Sequence, residues 1–309
     1  MITQSDIEAA AERIAGHVRR TPMLEIEAQG VAGPALALKL EHTQITGSFK
    51  LRGAFNTMLS ATLPDQGAVA ASGGNHGAAV AYAATQLGAK STIFVPAVIA
   101  DPVKIARMEG FGAKIVLVEG GVNDVMAAYA AHAEATGALS VHPYDAPATL
   151  AGQGTLGREI EADAPDLDTL LISVGGGGLI GGIAAWYAGR IRIVAVETEG
   201  TNSLALSLAG DTKAQISPSG LAASALGAQS VGDLSLEILH RHRPVTAVVS
   251  DAAVQDAQKR LWEGARLAVE PGAATALAAI TSGVYAPVPD ERVGVLLCGG
   301  NAAPGWFLD

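Results

Sequence analysis

Four successive glycines sit in the run Ser173-Val174-Gly175-Gly176-Gly177-Gly178-Leu179, between an apolar stretch and a helical one. A backbone without Cβ atoms can bring its N–H groups against an anion. A helix starting just beyond adds free donors and a favourable dipole. The expected chemistry is a phosphate cradle. Small residues also serve close helix–strand packing, but four in a row exceed that need. Gly176-x-Gly178-x-x-Gly181, with Glu197 near the end of the next apolar run, also matches the dinucleotide fingerprint. From this motif alone a nicotinamide-dependent dehydrogenase stays open.

Three further stretches carry reactive side chains. Lys50 stands in Thr46-Gly47-Ser48-Phe49-Lys50-Leu51-Arg52-Gly53, at an expected strand-to-helix junction. A lysine amine becomes a Schiff-base nucleophile where burial disfavours its charge, although an ordinary helix-start lysine looks the same in sequence. Ser72-Gly73-Gly74-Asn75-His76-Gly77 offers a hydroxyl, an amide and several N–H donors that suit a carboxylate. His76 reads either as catalytic or as a loop histidine held by hydrogen bonds. Cys298 lies in Leu297-Cys298-Gly299-Gly300-Asn301, where a buried thiol is a neutral partner or an inert core residue.

The elements that must position these motifs alternate in type. Strands are expected at 35–41, 67–71, 91–95, 114–118, 169–174, 191–197, 245–249 and 293–298. Helices are expected at 49–60, 75–87, from Asp101-Pro102 onward, 123–136, 150–161, 179–188, 250–267 and 273–282. Asp101 before Pro102 and Ser250 before Asp251 read as helix caps, and Ser5-Asp6-Ile7-Glu8 as a capping box. Near-continuous apolar strands between helices imply parallel sheets of α/β type. Val141 to Pro147, with two prolines and an aspartate, is the expected crossing between two lobes. The glycine loops at 72–77 and 173–179 each join an expected strand to an expected helix, and 298–301 ends the last strand.

Taken together, the motifs resemble one family. The sequence is similar to pyridoxal-phosphate (PLP) enzymes of the threonine/serine dehydratase family, of the tryptophan-synthase-β-like fold type II. Gly47-Ser48-Phe49-Lys50, the 72–77 loop, the tetraglycine and Cys298-Gly299-Gly300-Asn301 follow its order and spacing. Glu270-Pro271-Gly272 and Ala151-Gly152-Gln153-Gly154-Thr155 are also family-like. The resemblance implies a two-lobed fold with the active site in the interlobe cleft. It places a large PLP-binding domain at 1–52 and 147–309 and a small mobile domain at 53–146. It implies that Lys50 binds the cofactor aldehyde, Phe49 lies against the ring, and Asn75 bonds the phenolic oxygen. Gly175, Gly176, Gly177 and Gly178 with Leu179 then hold the phosphate, and Cys298 faces the pyridine nitrogen. Ser72, Asn75 and His76 would surround the substrate carboxylate.

The implied activity is β-elimination of L-threonine or L-serine to 2-oxobutyrate or pyruvate plus ammonia, by a homodimer. Dehydration of 3-hydroxyaspartate or phenylserine, β-replacement and racemisation are alternatives, as is a metabolite-binding relic without activity. Racemising relatives carry a serine at the place of Gly73, which disfavours that route. Some relatives bind a divalent cation near Glu197 and the Thr201 carbonyl, but Ser203 stands where they have a carboxylate, so binding is expected to be weak. Small, nearly neutral residues at 219–224 favour serine or threonine, unless Arg52 or His76 alters the pocket.

Composition narrows the classes further. The chain has 309 residues, 49% hydrophobic and 16% charged, which excludes disorder. Its 20 basic and 30 acidic residues give a net charge of −10 without a basic stripe, so nucleic acid is not an expected partner. The uncharged run 169–189 is long enough for a bilayer, but its glycines break a spanning helix. The single cysteine and the lack of a basic-then-apolar leader fit a cytoplasmic enzyme. The run His240-Arg241-His242-Arg243 reads as cations at a helix C-terminus.

Overall fold

The computed structural model describes residues 1–27, 31–210 and 212–302. In chain order the first elements are α1 (Gln4–Arg13), β1 (Met23–Ile26), β2 (Leu36–Lys39), α2 (Lys50–Leu59), β3 (Ala68–Ala71), α3 (Asn75–Gln86), β4 (Ser91–Pro96) and α4 (Pro102–Gly110). Then come β5 (Lys114–Val118), α5 (Val122–Thr136), β6 (Leu139–Ser140), α6 (Pro147–Asp163), β7 (Thr169–Ser173), α7 (Gly178–Tyr187) and β8 (Arg192–Thr198). The chain continues through α8 (Ser203–Gly210), α9 (Ala223–Leu226), α10 (Asp233–His242), β9 (Val245–Val249), α11 (Asp251–Ala265), α12 (Pro271–Thr281) and β10 (Val293–Leu296).

Two sheets result. One is six-stranded, in the order β1-β2-β10-β7-β8-β9, and the other is four-stranded, in the order β5-β4-β3-β6. All pairings are parallel except β1 with β2. Strands β2, β7 and β10 are buried at every residue, which is why their sequences are mainly apolar without alternation, with Lys39 of β2 the buried charge. Leu171, Ile172, Val194, Val196 and Val295 join Ile183 of α7 in the core of the larger sheet. Ala70, Ile93 and Val95 build a second core with Leu51, Phe55 and Met58 of α2. Burying each large side chain stabilises the fold by about 1.5–3 kcal/mol, so α2 is firmly tied to the smaller sheet.

Close packing explains the small residues. All ten residues of α7 are buried. A Cβ on Gly182 would lie 2.4 Å from the Leu150 carbonyl oxygen of α6, so only glycine lets α6 and α7 cross at this distance. The caps follow mechanism. Asp101 accepts from the N–H groups of Val103 and Lys104 with Pro102 in the first turn, and Ser250 accepts from that of Ala253. At the N-terminus the capping box is real but lies two residues earlier than expected, between Thr3 and Asp6. The antiparallel edge strand β1 is not among the expected elements. It is half-buried for three of its four residues and carries no alternation strong enough to show in sequence. No helix among the described residues is long and apolar enough to cross a membrane.

Candidate active site

Lys50 opens α2, just after a turn locked to the end of β10. The Phe49 N–H donates to the Cys298 carbonyl at 3.1 Å and the Gly300 N–H to the Gly47 carbonyl at 2.8 Å. Ser48 and Gly299 form an antiparallel bridge. Lys50 is half-buried, and its Nζ donates to the Pro143 carbonyl at 2.8 Å, lying 5.1 Å from the centre of the Phe49 ring. Burial lowers its pKa to about 8, with Cys298 and Glu270 opposing. An amine at that value is neutral in about one molecule in ten at pH 7, far more often than an ordinary lysine, and so is more readily nucleophilic.

The 72–77 loop connects β3 to α3. The Gly74 N–H donates to Ser72 Oγ at 3.2 Å. Asn75, first residue of α3, donates through Nδ2 to Glu270 Oε1 at 2.6 Å and accepts at Oδ1 from Asn301 Nδ2 at 2.5 Å. Glu270 caps α12, and burial pushes its pKa up to about 7 against the Asn75 hydrogen bond and the charges of Lys104, Arg107 and Lys50. His76 is 3% exposed, with Nε2 2.9 Å from the Val141 carbonyl oxygen. Burial and the Lys50 charge push its pKa down to about 3, so the ring stays neutral. The Cys298 thiol is buried, and burial, reinforced by Glu270, raises its pKa well above the usual thiol range.

The tetraglycine joins β7 to α7. Gly177 caps α7 with φ +85° and no side-chain cap, a left-handed backbone that glycine adopts without strain. An uncapped helix start leaves N–H groups for an anion. Beside it, the buried Ser235 Oγ has no hydrogen-bond partner and lies 3.3 Å from where a Cβ on Gly177 would sit. A Cβ on Gly176 would lie 2.3 Å from the Tyr144 ring. Because Pro143 and Tyr144 are adjacent, Lys50 Nζ and Gly176 face the same short stretch. That stretch, between β6 and α6, also offers the Val141 carbonyl to His76. Its Asp145 carboxylate accepts from the N–H groups of Asp233 at 3.0 Å and Leu234 at 3.1 Å.

These residues fit a phosphate-bearing aldehyde: a nucleophilic lysine, an uncapped helix on four glycines, an oriented amide and a neutral thiol. The remaining sequence candidates have partners of their own. The Glu197 carboxylate is fully buried and accepts from the N–H groups of Leu204 at 2.9 Å and Ala205 at 2.8 Å, closing the start of α8. The Thr201 hydroxyl pairs with that of Thr198 at 2.9 Å. Among the described residues no group of three or more His, Cys, Asp or Glu is arranged to hold a metal ion. Arg52 is buried on Glu41 and Glu159, away from the cleft. Sequence reasoning gave Glu270 and Asn301 no role beyond their motifs, and it passed over Arg107. The Arg107 guanidinium donates to Asn301 Oδ1 and to the Thr46 carbonyl. The available signal was its placement one helical turn after Lys104, on a well-capped helix.

A family model described as pyridoxal-phosphate dependent enzyme matches residues 14–299. The chain belongs to this family. It is 34% identical over 310 residues to L-threonine ammonia-lyase of Thermotoga maritima, covering 97% of this chain and 76% of that protein. It is also 34% identical over 315 residues to phenylserine dehydratase of Ralstonia pickettii, covering 99% and 96%. Among solved structures, maize serine racemase superposes with a TM-score of 0.93 at 32% identity, covering 99% of this chain and 95% of that one. The threonine deaminase of T.th. gives 0.89 at 34%, covering 98% and 99%. Membership in the pyridoxal-phosphate dependent family removes the nicotinamide alternative. Glu197 agrees, because both its oxygens are engaged by backbone N–H groups.

Proposed function

We propose that the protein is a PLP-dependent ammonia-lyase acting on a small β-hydroxy amino acid, L-threonine and L-serine being the reference substrates. The reading is carried by Lys50, whose pKa of about 8 and place beside the tetraglycine stretch suit an amine that binds an aldehyde. In this proposal Gly175 to Gly178 and Leu179 hold the cofactor phosphate, Phe49 lies against its ring, and Asn75 bonds its phenolic oxygen. Cys298 faces the pyridine nitrogen, and Ser72, Asn75 and His76 surround the substrate carboxylate. The bound cofactor withdraws electrons from the substrate Cα and so acidifies its C–H bond.

Lys50 Nζ would take the Cα proton. Neutral His76 acts as a fixed wall rather than an acid. The neutral Cys298 thiol presents no negative charge to the pyridine nitrogen, which favours loss of the β-hydroxyl over longer-lived carbanion chemistry. Gly73 has no side chain to return a proton from the opposite face, which weighs against racemisation. We propose that residues 53–146 close on substrate as a unit, an arrangement supported by the separate four-stranded sheet. A cation at Glu197 forms no part of the proposal.

Ammonia release by the holoenzyme across serine, threonine, phenylserine and 3-hydroxyaspartate tests the reading. Turnover of at least one, with the matching 2-oxo acid, is expected. Silence on all four, or D-serine forming faster than ammonia, would overturn it.

A further inference from the structure

Lys104 and Arg107 lie on one face of α4 and line a cavity of 1180 Å³ that reaches from Asn75 and Glu270 to α11. The Arg107 guanidinium is anchored from behind. Nη1 donates to Asn301 Oδ1 and Nη2 to the Thr46 carbonyl at 3.0 Å. Nε–H and the second N–H of each Nη make no hydrogen bond among the described residues and are left for an anion such as a carboxylate. Asn301 in turn donates to Asn75, so the guanidinium is linked to the site through one side chain.

The acids of this cavity are already engaged. The Asp101 carboxylate caps α4 through the N–H groups of Val103 and Lys104. Glu263 lies 3.8 Å from Lys259, and Glu270 accepts from Asn75. Among the described residues no ion pair involves Lys104 or Arg107. A chain of net charge −10 thus keeps two cations on the wall next to Asn75 with no ion pair within 4.0 Å, sharing the longer-range field of one carboxyl, Glu270. A half-buried cation is costly unless it meets an anion. The facing wall, with Leu221 and Ser224, is the small neutral loop that argued for serine or threonine in sequence. The cations on α4 change that balance.

We propose that Lys104 and Arg107 bind a second carboxylate of the substrate, making the preferred substrate a β-hydroxy amino acid with an acidic group on Cβ. 3-Hydroxyaspartate is the smallest such molecule. The inference rests on the ammonia-lyase reading above and names its substrate class. The Cα proton passes to Lys50 Nζ, the Cα–Cβ double bond forms, and the β-hydroxyl leaves with its bonding pair and is protonated to water. The released enamine tautomerises to an imine and takes up one water, giving oxaloacetate and ammonia. No oxidant is needed.

The test compares kcat/KM of the holoenzyme for 3-hydroxyaspartate, serine and threonine in wild type, Arg107→Gln and Lys104→Gln. Wild type is expected to favour the acidic substrate. Each variant is expected to lower the ratio of acidic to neutral kcat/KM by about 10- to 100-fold, the range of a charge-assisted hydrogen bond, chiefly through KM. Because Arg107 also braces Asn301, Lys104→Gln gives the independent variant. Succinate should inhibit wild type competitively and butyrate should not, with Lys104→Gln relieving the inhibition. Turnover confined to serine and threonine, or a ratio unmoved by either variant, would overturn the substrate class alone. Turnover of none of the three would overturn this inference together with the lyase reading.

Discussion

Two lysines withdrawn from water show how environment divides structure from chemistry. Lys39, in β2, is fully buried and saturated. Its Nζ donates to the Thr21 carbonyl at 2.7 Å, Glu159 Oε1 at 2.7 Å and Asp163 Oδ2 at 2.9 Å. Lys50 has one backbone carbonyl and no carboxylate within 4.0 Å among the described residues. Burial, only partly offset by Cys298 and Glu270, lowers its pKa to about 8. Helix α2 straddles both environments, because Arg52, two residues along, enters the Lys39 network through Glu41 and Glu159. An amine with a full set of acceptors is a strut, and an amine with one is a reagent.

The sharpest way to break this contrast is Lys50→Ala. We expect holoenzyme turnover to fall roughly ten-thousand-fold, as for loss of a nucleophile that also moves a proton. The visible absorbance of lysine-bound cofactor should vanish while the urea midpoint holds. On the other side, Glu159→Ala removes the carboxylate shared by Lys39 and Arg52. Lys39 keeps Asp163 and Arg52 keeps Glu41, so losing the shared carboxylate should cost about 1–3 kcal/mol, read from urea unfolding. The pH dependence sharpens the reagent half. Only the neutral amine attacks an aldehyde, so cofactor uptake by the cofactor-free protein should rise by about tenfold per pH unit up to about 8 and then level off. The smallest effect belongs to Cys298. Burial keeps its thiol protonated, so iodoacetamide at pH 8 should leave the native protein unlabelled, and labelling before unfolding would contradict that burial.

What sequence could show was local. The strand-to-helix turns at 72–77 and 173–179 announce themselves because glycine and cap chemistry act within a few residues. Lys114–Val118 and Val245–Val249 match their expected bounds because runs made mostly of β-branched residues leave little alternative. What stayed hidden was long-range. Asn75 meets Glu270 and Asn301 across most of the chain, and no spacing rule connects them. The same blindness hid the hydrogen bonds by which Glu197 closes the start of α8 and the ion pairs that hold Arg52. Arg107 was missed because one arginine on a polar helix face looks like any solvated charge until the opposite wall is in place.

The short stretch between β6 and α6 serves as a common reference point for four separate motifs. Val141 receives His76, Pro143 receives Lys50, Tyr144 covers Gly176, and Asp145 fastens the start of α10. Inserting or deleting a single residue there would put every one of them out of step at once. These few positions therefore admit changes of side chain far more readily than changes of length, a constraint any attempt to graft or recombine this enzyme must respect.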